Sequence, residues 1–185
     1  MLHIRLENSA DTVLVEALLD LAFGADRHDK TSYRYRTGIP PIAELCLVAE
    51  EEERLVGTIR YWPVRMGKEP VLLLGPIATE PERRAQGLGR MLVGESLARA
   101  ADLGHDLVFL VGDPGYYHRF GFLPVPDGIT MPGEDPARLQ WRSLGLHELP
   151  VRGGTLLRVD EPEAAAACPM APTTLPPARL GAASP

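Results

Sequence analysis

The sequence predicts a mixed α/β domain built on a mostly antiparallel twisted sheet flanked by helices. Three short strand-like runs with tight connections precede a long amphipathic helix, and a wholly apolar strand follows that helix. A strand, helix, strand order of this kind calls for one parallel crossover inside an otherwise antiparallel sheet. The chain of 185 residues is long enough to bury a core without disulfides or metals. It reads as one domain over 1–160 and a tail over 161–185.

In chain order, Leu2, Ile4 and Leu6 alternate with polar residues, which is the period of a half-buried strand. Ser9 or Asp11 is then placed to cap a helix with Leu14, Ala17, Leu18 and Leu21 on its inner face, ending at Gly24. The crowded polar stretch 26–36 reads as an exposed rim before the break at Gly38, Pro40 and Pro41. Strand signals over 44–49, 55–64 and 71–79 form a meander, the first two joined by a tight acidic turn. Inside the third, Gly75-Pro76 marks a bulge or an edge, because proline cannot donate to a ladder.

From 86 to 103 the period becomes helical, with Gly89, Val93, Leu97, Ala100 and Leu103 along one face and Gly104 as the stop. Glu95 and Arg99 stand at i,i+4 spacing on the polar side. Residues 106–112 form a continuous apolar run, as in a strand covered on both faces. A short helix at 114–119 and strands starting at Gly121 and Leu139 complete the predicted elements. Beyond Asp160 the chain turns Ala- and Pro-rich, so disorder is expected there.

Composition removes several function classes. Nineteen Lys and Arg against 25 Asp and Glu give a net charge of −6, which provides no positive field for nucleic acid or an anionic membrane. Cys46 lies in an apolar run and Cys168 in the tail, so no disulfide is expected between them. The first residues, Met-Leu-His-Ile-Arg-Leu-Glu, mix charge with apolar side chains, and no run reaches membrane-spanning length, so the expected location is cytoplasmic. The five histidines are scattered, and no His or Cys pair has metal-ligand spacing; no metal is expected.

One segment carries chemistry. Arg84-Ala-Gln-Gly87-Leu-Gly89 lies between an apolar strand and the start of the long helix. A helix start offers unpaired N–H groups and a positive dipole end, and glycine lets an anion approach the backbone. The segment is therefore a phosphate cradle in principle. It lacks both the Gly-Lys-Ser/Thr of a P-loop and the third glycine of the dinucleotide fingerprint.

This cradle follows Leu74-Gly-Pro-Ile-Ala-Thr-Glu-Pro81, and Tyr116-Tyr-His-Arg-Phe-Gly-Phe122 comes later. Together they resemble the acetyl-CoA-binding core of the GCN5-related N-acetyltransferase (GNAT) superfamily, closest to its small bacterial members with a Tyr-Tyr-x-Arg-Phe-Gly-Phe motif. The likeness runs loosely from Ile4 to about Val159. It implies a GNAT-like sheet splayed at its central parallel strands, with acetyl-CoA as cosubstrate and an amine as acceptor. Ile77, Ala78 and Thr79 would pair their backbone with the pantetheine arm. Arg84, Ala85, Gln86, Gly87, Leu88, Gly89 and Arg90 would wrap the pyrophosphate, mainly through the N–H groups of residues 86–89. An N–H near Gly75-Pro76 would polarise the thioester carbonyl.

By the same likeness Tyr117 is the general acid that protonates the leaving CoA thiolate, a role suited to a phenol with an ordinary pKa of about 10. Tyr116 and Phe120 read as packing residues. The strand 71–78 lacks the carboxylate that many relatives place there, and Gly112-Asp-Pro-Gly115 stands where they carry Asn and a longer helix. Glu80, Asp113, His118 and His28 are the candidate bases, with no one of them singled out. The segments 26–36 and 128–141 are expected to build the acceptor groove, and family habit alone suggests a homodimer. Two alternatives stand beside direct acetyl transfer. One is an acyl-CoA-binding sensor or interaction module, and the other is transfer of a longer acyl group, which would need room around Tyr61, Trp62 and Met66.

Overall fold

The computed structural model describes residues 1–83, 85–145, 149 and 153–161. The strands are β1 (Leu2–Leu6), β2 (Leu47–Glu51), β3 (Arg54–Met66), β4 (Glu69–Thr79), β5 (Leu107–Val111), β6 (Leu123–Pro124), β7 (Ile129–Thr130), β8 (Leu139–Ser143) and β9 (Gly154–Arg158). They lie in the order β1-β2-β3-β4-β5-β8-β6, with β9 against the far end of β3 and β7 against β9. Helix α1 is Thr12–Phe23, α2 is Leu88–Asp102 and α3 is Pro114–Tyr117. The predicted tail over 161–185 falls, but for Glu161, outside the described residues, as does His147.

The meander and the crossover follow the sequence pattern closely. The connection between β2 and β3 turns on Glu52 and Glu53, both in the left-handed region at φ 51° and 64°. Two such residues match the twist of a two-residue hairpin, although neither is glycine. Strands β4 and β5 are parallel, and α2 is the crossover between them. The β3–β4 pairing runs on to Gly57↔Thr79, with a register shift between Ile59 and Tyr61, opposite the cis Gly75-Pro76 bond. The β4–β5 pairing is confined to Leu72↔Val108 and Leu73↔Phe109. Beyond Leu73 the two strands diverge, so the sheet is splayed where the proline marked an irregularity.

Three expectations need correction. Helix α1 buries Val15, Leu18 and Leu19, while Leu14 and Leu21 face solvent at 55% and 63% exposure. The segment is apolar nearly all the way round, so spacing alone did not fix which stripe meets the sheet. Its lead-in is capped by Asn8, whose side-chain oxygen accepts from Ala10 N–H while its own N–H donates to Asp11. Asp11 itself is buried, where it accepts two hydrogen bonds from the Arg5 guanidinium. The stretch 26–36 folds into two 3-10 turns that bury Arg27, Tyr33 and Tyr35. It is core as well as rim, because the long polar side chains carry enough apolar surface to pack once their heads are paired.

Those heads belong to a buried ionic cluster. Arg60 on β3 donates to Glu7 at 2.5 and 2.7 Å and to Glu16 on α1 at 2.6 Å, while Arg27 reaches Glu16, Asp20 and the Tyr33 hydroxyl. The cluster ties α1 and the turn region to β3 beneath the opening of the sheet. Removing one partner of such a cluster strands the others without counter-charge. Arg60→Ala is expected to destabilise the protein by about 3 kcal/mol in urea unfolding, and a loss under half that would mean Glu7 and Glu16 are relieved by water.

Candidate active site

Two hollows adjoin where β4 and β5 part. The larger, about 700 Å³, is bounded by residues 74–77 of β4, by Val111 and Gly112 at the end of β5, and by Tyr117 of α3. Tyr33, Arg36 and Glu134 close its far side. The smaller, about 380 Å³, lies at the start of α2 between Thr79, Gly87, Gly89, Arg90, Tyr116 and Arg119. Strand β4 runs from one to the other, through Ile77 in the larger and Thr79 in the smaller.

The strand presents its backbone to both. Glu80 N–H donates to Val56 on β3, so by the alternation of an antiparallel ladder Ala78 also faces β3. Ile77 and Thr79 then turn their peptide groups toward the open edge. The splay thus offers a strip of β4 backbone that no strand pairs among the described residues. Of the three residues expected on this edge, two face it and Ala78 faces the neighbouring strand.

At the start of α2, Gly87 is the cap residue with φ 85°, and Leu88, Gly89 and Arg90 form the first turn. Gln86 spends its N–H on Arg83 O at 3.2 Å and its side chain on Glu82 O, so its part in the expected cradle is reduced to shaping the turn. Arg84 lies outside the described residues. No acidic residue occupies this first turn, yet Arg90 sits in it and Arg119 stacks over the Tyr116 ring at 5.3 Å. Among the described residues, neither cation has a carboxylate within 4 Å. Positive side chains at the positive end of a helix dipole are unfavourable unless an anion joins them.

The aromatic motif divides between the hollows. Tyr116 packs against the core as expected and also brings its hydroxyl 2.9 Å from where a Cβ on Gly89 would be, at the edge of the smaller hollow. Tyr117 borders the larger hollow, with its ring edge-on to Tyr116 at 4.9 Å and to Phe122 at 5.9 Å. Burial pushes its phenol well above the ordinary value, with Tyr116 adding to the shift and Arg138 opposing it. The hydroxyl therefore stays protonated throughout the neutral and mildly alkaline range.

The expected bases are spread out. Glu80 pairs with Arg54 at 2.7 Å, Asp113 caps α3 by accepting from Gly115 N–H, and His28 stacks edge-on against Tyr33 at 5.0 Å. His118 is exposed beyond α3. The carboxylate that does border the larger hollow beside Asp113 and Asp29 is Glu134, whose pKa burial raises while Arg138 and Arg36 restrain the rise. Sequence reasoning reached its segment, 128–141, but Met-Pro-Gly-Glu-Asp-Pro carries only turn signals. Cys46 is buried, its thiol pushed up to about 11 by desolvation, which suits a core residue and not a nucleophile. Among the described residues, no three His, Cys, Asp or Glu side chains converge as a metal site would require, and no helix is long and apolar enough to cross a membrane.

A splayed parallel pair, an open strand edge and a glycine-bearing helix start together define an acyl-CoA-dependent transferase site of the GNAT kind. Residues 3–125 match the acetyltransferase (GNAT) domain family, and the chain belongs to it. It is 34% identical over 122 residues to the uncharacterized N-acetyltransferase YhbS of Escherichia coli K12, covering 64% of this chain and 72% of that one. The crystal structure of Escherichia coli YhbS in complex with CoA superposes with a TM-score of 0.72 at 29% identity, over 84% of this chain and 88% of that one. A GNAT acetyltransferase from Brucella melitensis in complex with acetyl-CoA gives 0.65 at 27% identity, over 85% and 95%.

Tyr117 keeps its place because residue 112 has no side chain: a Cβ there would lie 2.4 Å from Tyr117 Cε2. Gly112→Ala is expected to lower stability by about 1–3 kcal/mol through overpacking, read by chemical denaturation. Unchanged stability would show that the ring is free to move off β5.

Proposed function

We propose that this protein transfers the acetyl group of acetyl-CoA directly to an amine, with Tyr117 as the general acid. One observation carries the reading: the open edge of β4 links a hollow whose Arg90 and Arg119 have no carboxylate partner among the described residues to a larger one bordered by the Tyr117 phenol. Pantetheine is an extended chain with amide groups, which suits the backbone strip at Ile77 and Thr79. The pyrophosphate suits the start of α2, where Ala85, Gly87, Leu88, Gly89, Arg90 and Arg119 gather, and Arg84 is assigned to the same cradle by its sequence position. Tyr61 and Met66 are fully packed in the core and Trp62 nearly so, which supports a short acyl group.

The acceptor arrives as an ammonium and must give up one proton before its nitrogen attacks the thioester carbon. The C–N bond forms, the carbon becomes tetrahedral, and the nitrogen gives up a second proton as the C–S bond breaks. Tyr117 donates its phenolic proton to the departing sulfur and is reprotonated by the proton leaving nitrogen. The net products are the acetylamine, CoA thiol and one proton released to solvent. Because burial raises the Tyr117 pKa, the acid form persists as pH rises, and the alkaline side of the rate profile is free of its titration.

Calorimetric titration of acetyl-CoA, with release of CoA thiol followed over a panel of amines, tests the reading. Micromolar binding that Gly89→Glu abolishes is expected, since that side chain would enter the anion hollow with the wrong charge. Tyr117→Phe is expected to lower kcat by about 100-fold while leaving acetyl-CoA affinity unchanged, with wild-type kcat level up to about pH 10. Binding with no turnover in either protein would favour a sensor, and no binding at all would overturn the reading.

A further inference from the structure

The larger hollow holds a cation that the fold does not neutralise. Arg36 leaves the second 3-10 turn and lays its guanidinium between the Tyr33 ring at 4.8 Å and the Trp62 ring at 5.5 Å. Its Nη2 lies 3.6 Å from where a Cβ on Gly75 would be, so it reaches the bend of β4. Its Nε is buried with no hydrogen-bond partner. Among the described residues, no carboxylate comes within 4 Å of it. Arg27 and Arg60, also buried, behave differently: each is paired with two carboxylates, and Arg27 also donates to the Tyr33 hydroxyl.

Burial pulls the Arg36 pKa down to about 10, which still leaves it charged at neutral pH. The Tyr33 side chain and the charge of Glu134 relieve only part of this desolvation, and the remaining cost falls when an anion enters to meet the guanidinium. Two aromatic faces fix the plane of the fork and leave its edge for a planar, two-oxygen partner. Glu134 borders the same hollow; facing it are the main-chain N–H of Ser32 and the charges of Arg138 and Arg36. This wall therefore presents a positive site and a negative one together.

We infer that the acceptor is a zwitterion, an amine that also bears a carboxylate, with the carboxylate on Arg36 and the ammonium on Glu134. The inference rests on the acetyl-transfer reading above and narrows its acceptor to free amino acids and the compounds that share their two charges. Glu134 receives the proton that the ammonium must lose, and the amine is left facing the splay where the thioester carbon lies. A phosphate in place of the carboxylate fits poorly, because a dianion would stand beside Glu134, Asp113 and Asp29.

Two experiments test this. Acetyl transfer is compared between L-amino acids and their carboxamides, which keep the amine and lose the anion. The acids are expected to be favoured by about 100-fold in kcat/KM, in line with a charge-assisted pair, and Arg36→Met should erase the preference while leaving acetyl-CoA affinity intact. Arg36→Lys should restore part of it. Equal use of acids and amides, or acetyl-CoA binding with no transfer to any acid in the set, overturns the inference.

The second readout needs neither acetyl-CoA nor turnover. The Arg36 Nε–H resonance of the wild-type protein is followed by NMR during titration with N-acetyl-L-alanine and, separately, with N-acetyl-L-alaninamide. A shift with the acid alone supports the inference even if acetyl-CoA fails to bind, while no shift or equal shifts overturn it. Failure of the acetyl-transfer reading would show instead as absent calorimetric heat, so the two failures are distinguishable.

Discussion

A parallel strand pair that holds only at Leu72 and Leu73 leaves the rest of β4 with one bonded edge and one open edge. The acetyl-CoA site proposed above depends on that gap. Backbone N–H and C=O groups buried without partners are unstable, so a gap persists only if something else supplies them. Here the far edge of β4 is tied to β3 through Thr79, which holds the strand in the sheet past its irregularity while β5 departs. Tyr117, resting on the bare surface of Gly112, and the Gly75-Pro76 bend on β4 occupy opposite sides of the opening. On the proposed reading, a cosubstrate with its own amide groups would complete the ladder that the protein leaves unfinished.

Charge is distributed along that gap in a way stability alone would not favour. Arg90 and Arg119 gather where the dipole of α2 is already positive, and Arg36 stands inside the larger hollow with an unsatisfied Nε. Arg5, Arg27 and Arg60 are by contrast all paired with carboxylates, although Arg27 and Arg60 lie beside Arg36 and Pro76. The contrast separates guanidiniums that hold the fold together from those with no carboxylate partner among the described residues, which the proposals above assign to ligands. Similar local conflicts between charge and environment are typical of sites where binding, not folding, sets the residue.

Much of the fold was legible in the sequence because its signals are local. The meander follows from alternation and short turns, the crossover from an apolar strand after an amphipathic helix, and the splay from a proline inside a strand. The helix start was legible for the same reason, since Gly87 and Gly89 speak to backbone conformation and approach. The inner face of α1 was not, because a helix apolar on most sides offers several stripes and only contact with Val48 and Ala78 selects one. Nor were β7 and β9, since strands of two and five residues in polar surroundings are decided by the neighbours they meet.

The sequence by itself determined the family, the parallel crossover and the glycine-bearing start of the long helix, because each is written in residues adjacent along the chain. Only the tertiary structure decided which side chains share the larger hollow. Arg36, Glu134 and Tyr117 come from segments far apart in sequence, and no spacing rule links them. It also brought the hydroxyl of the packed Tyr116 to the smaller hollow, and moved Arg27 and Tyr35 from rim to core. Those outcomes turn on which polar heads find partners when the chain closes up, and that is settled by packing in three dimensions.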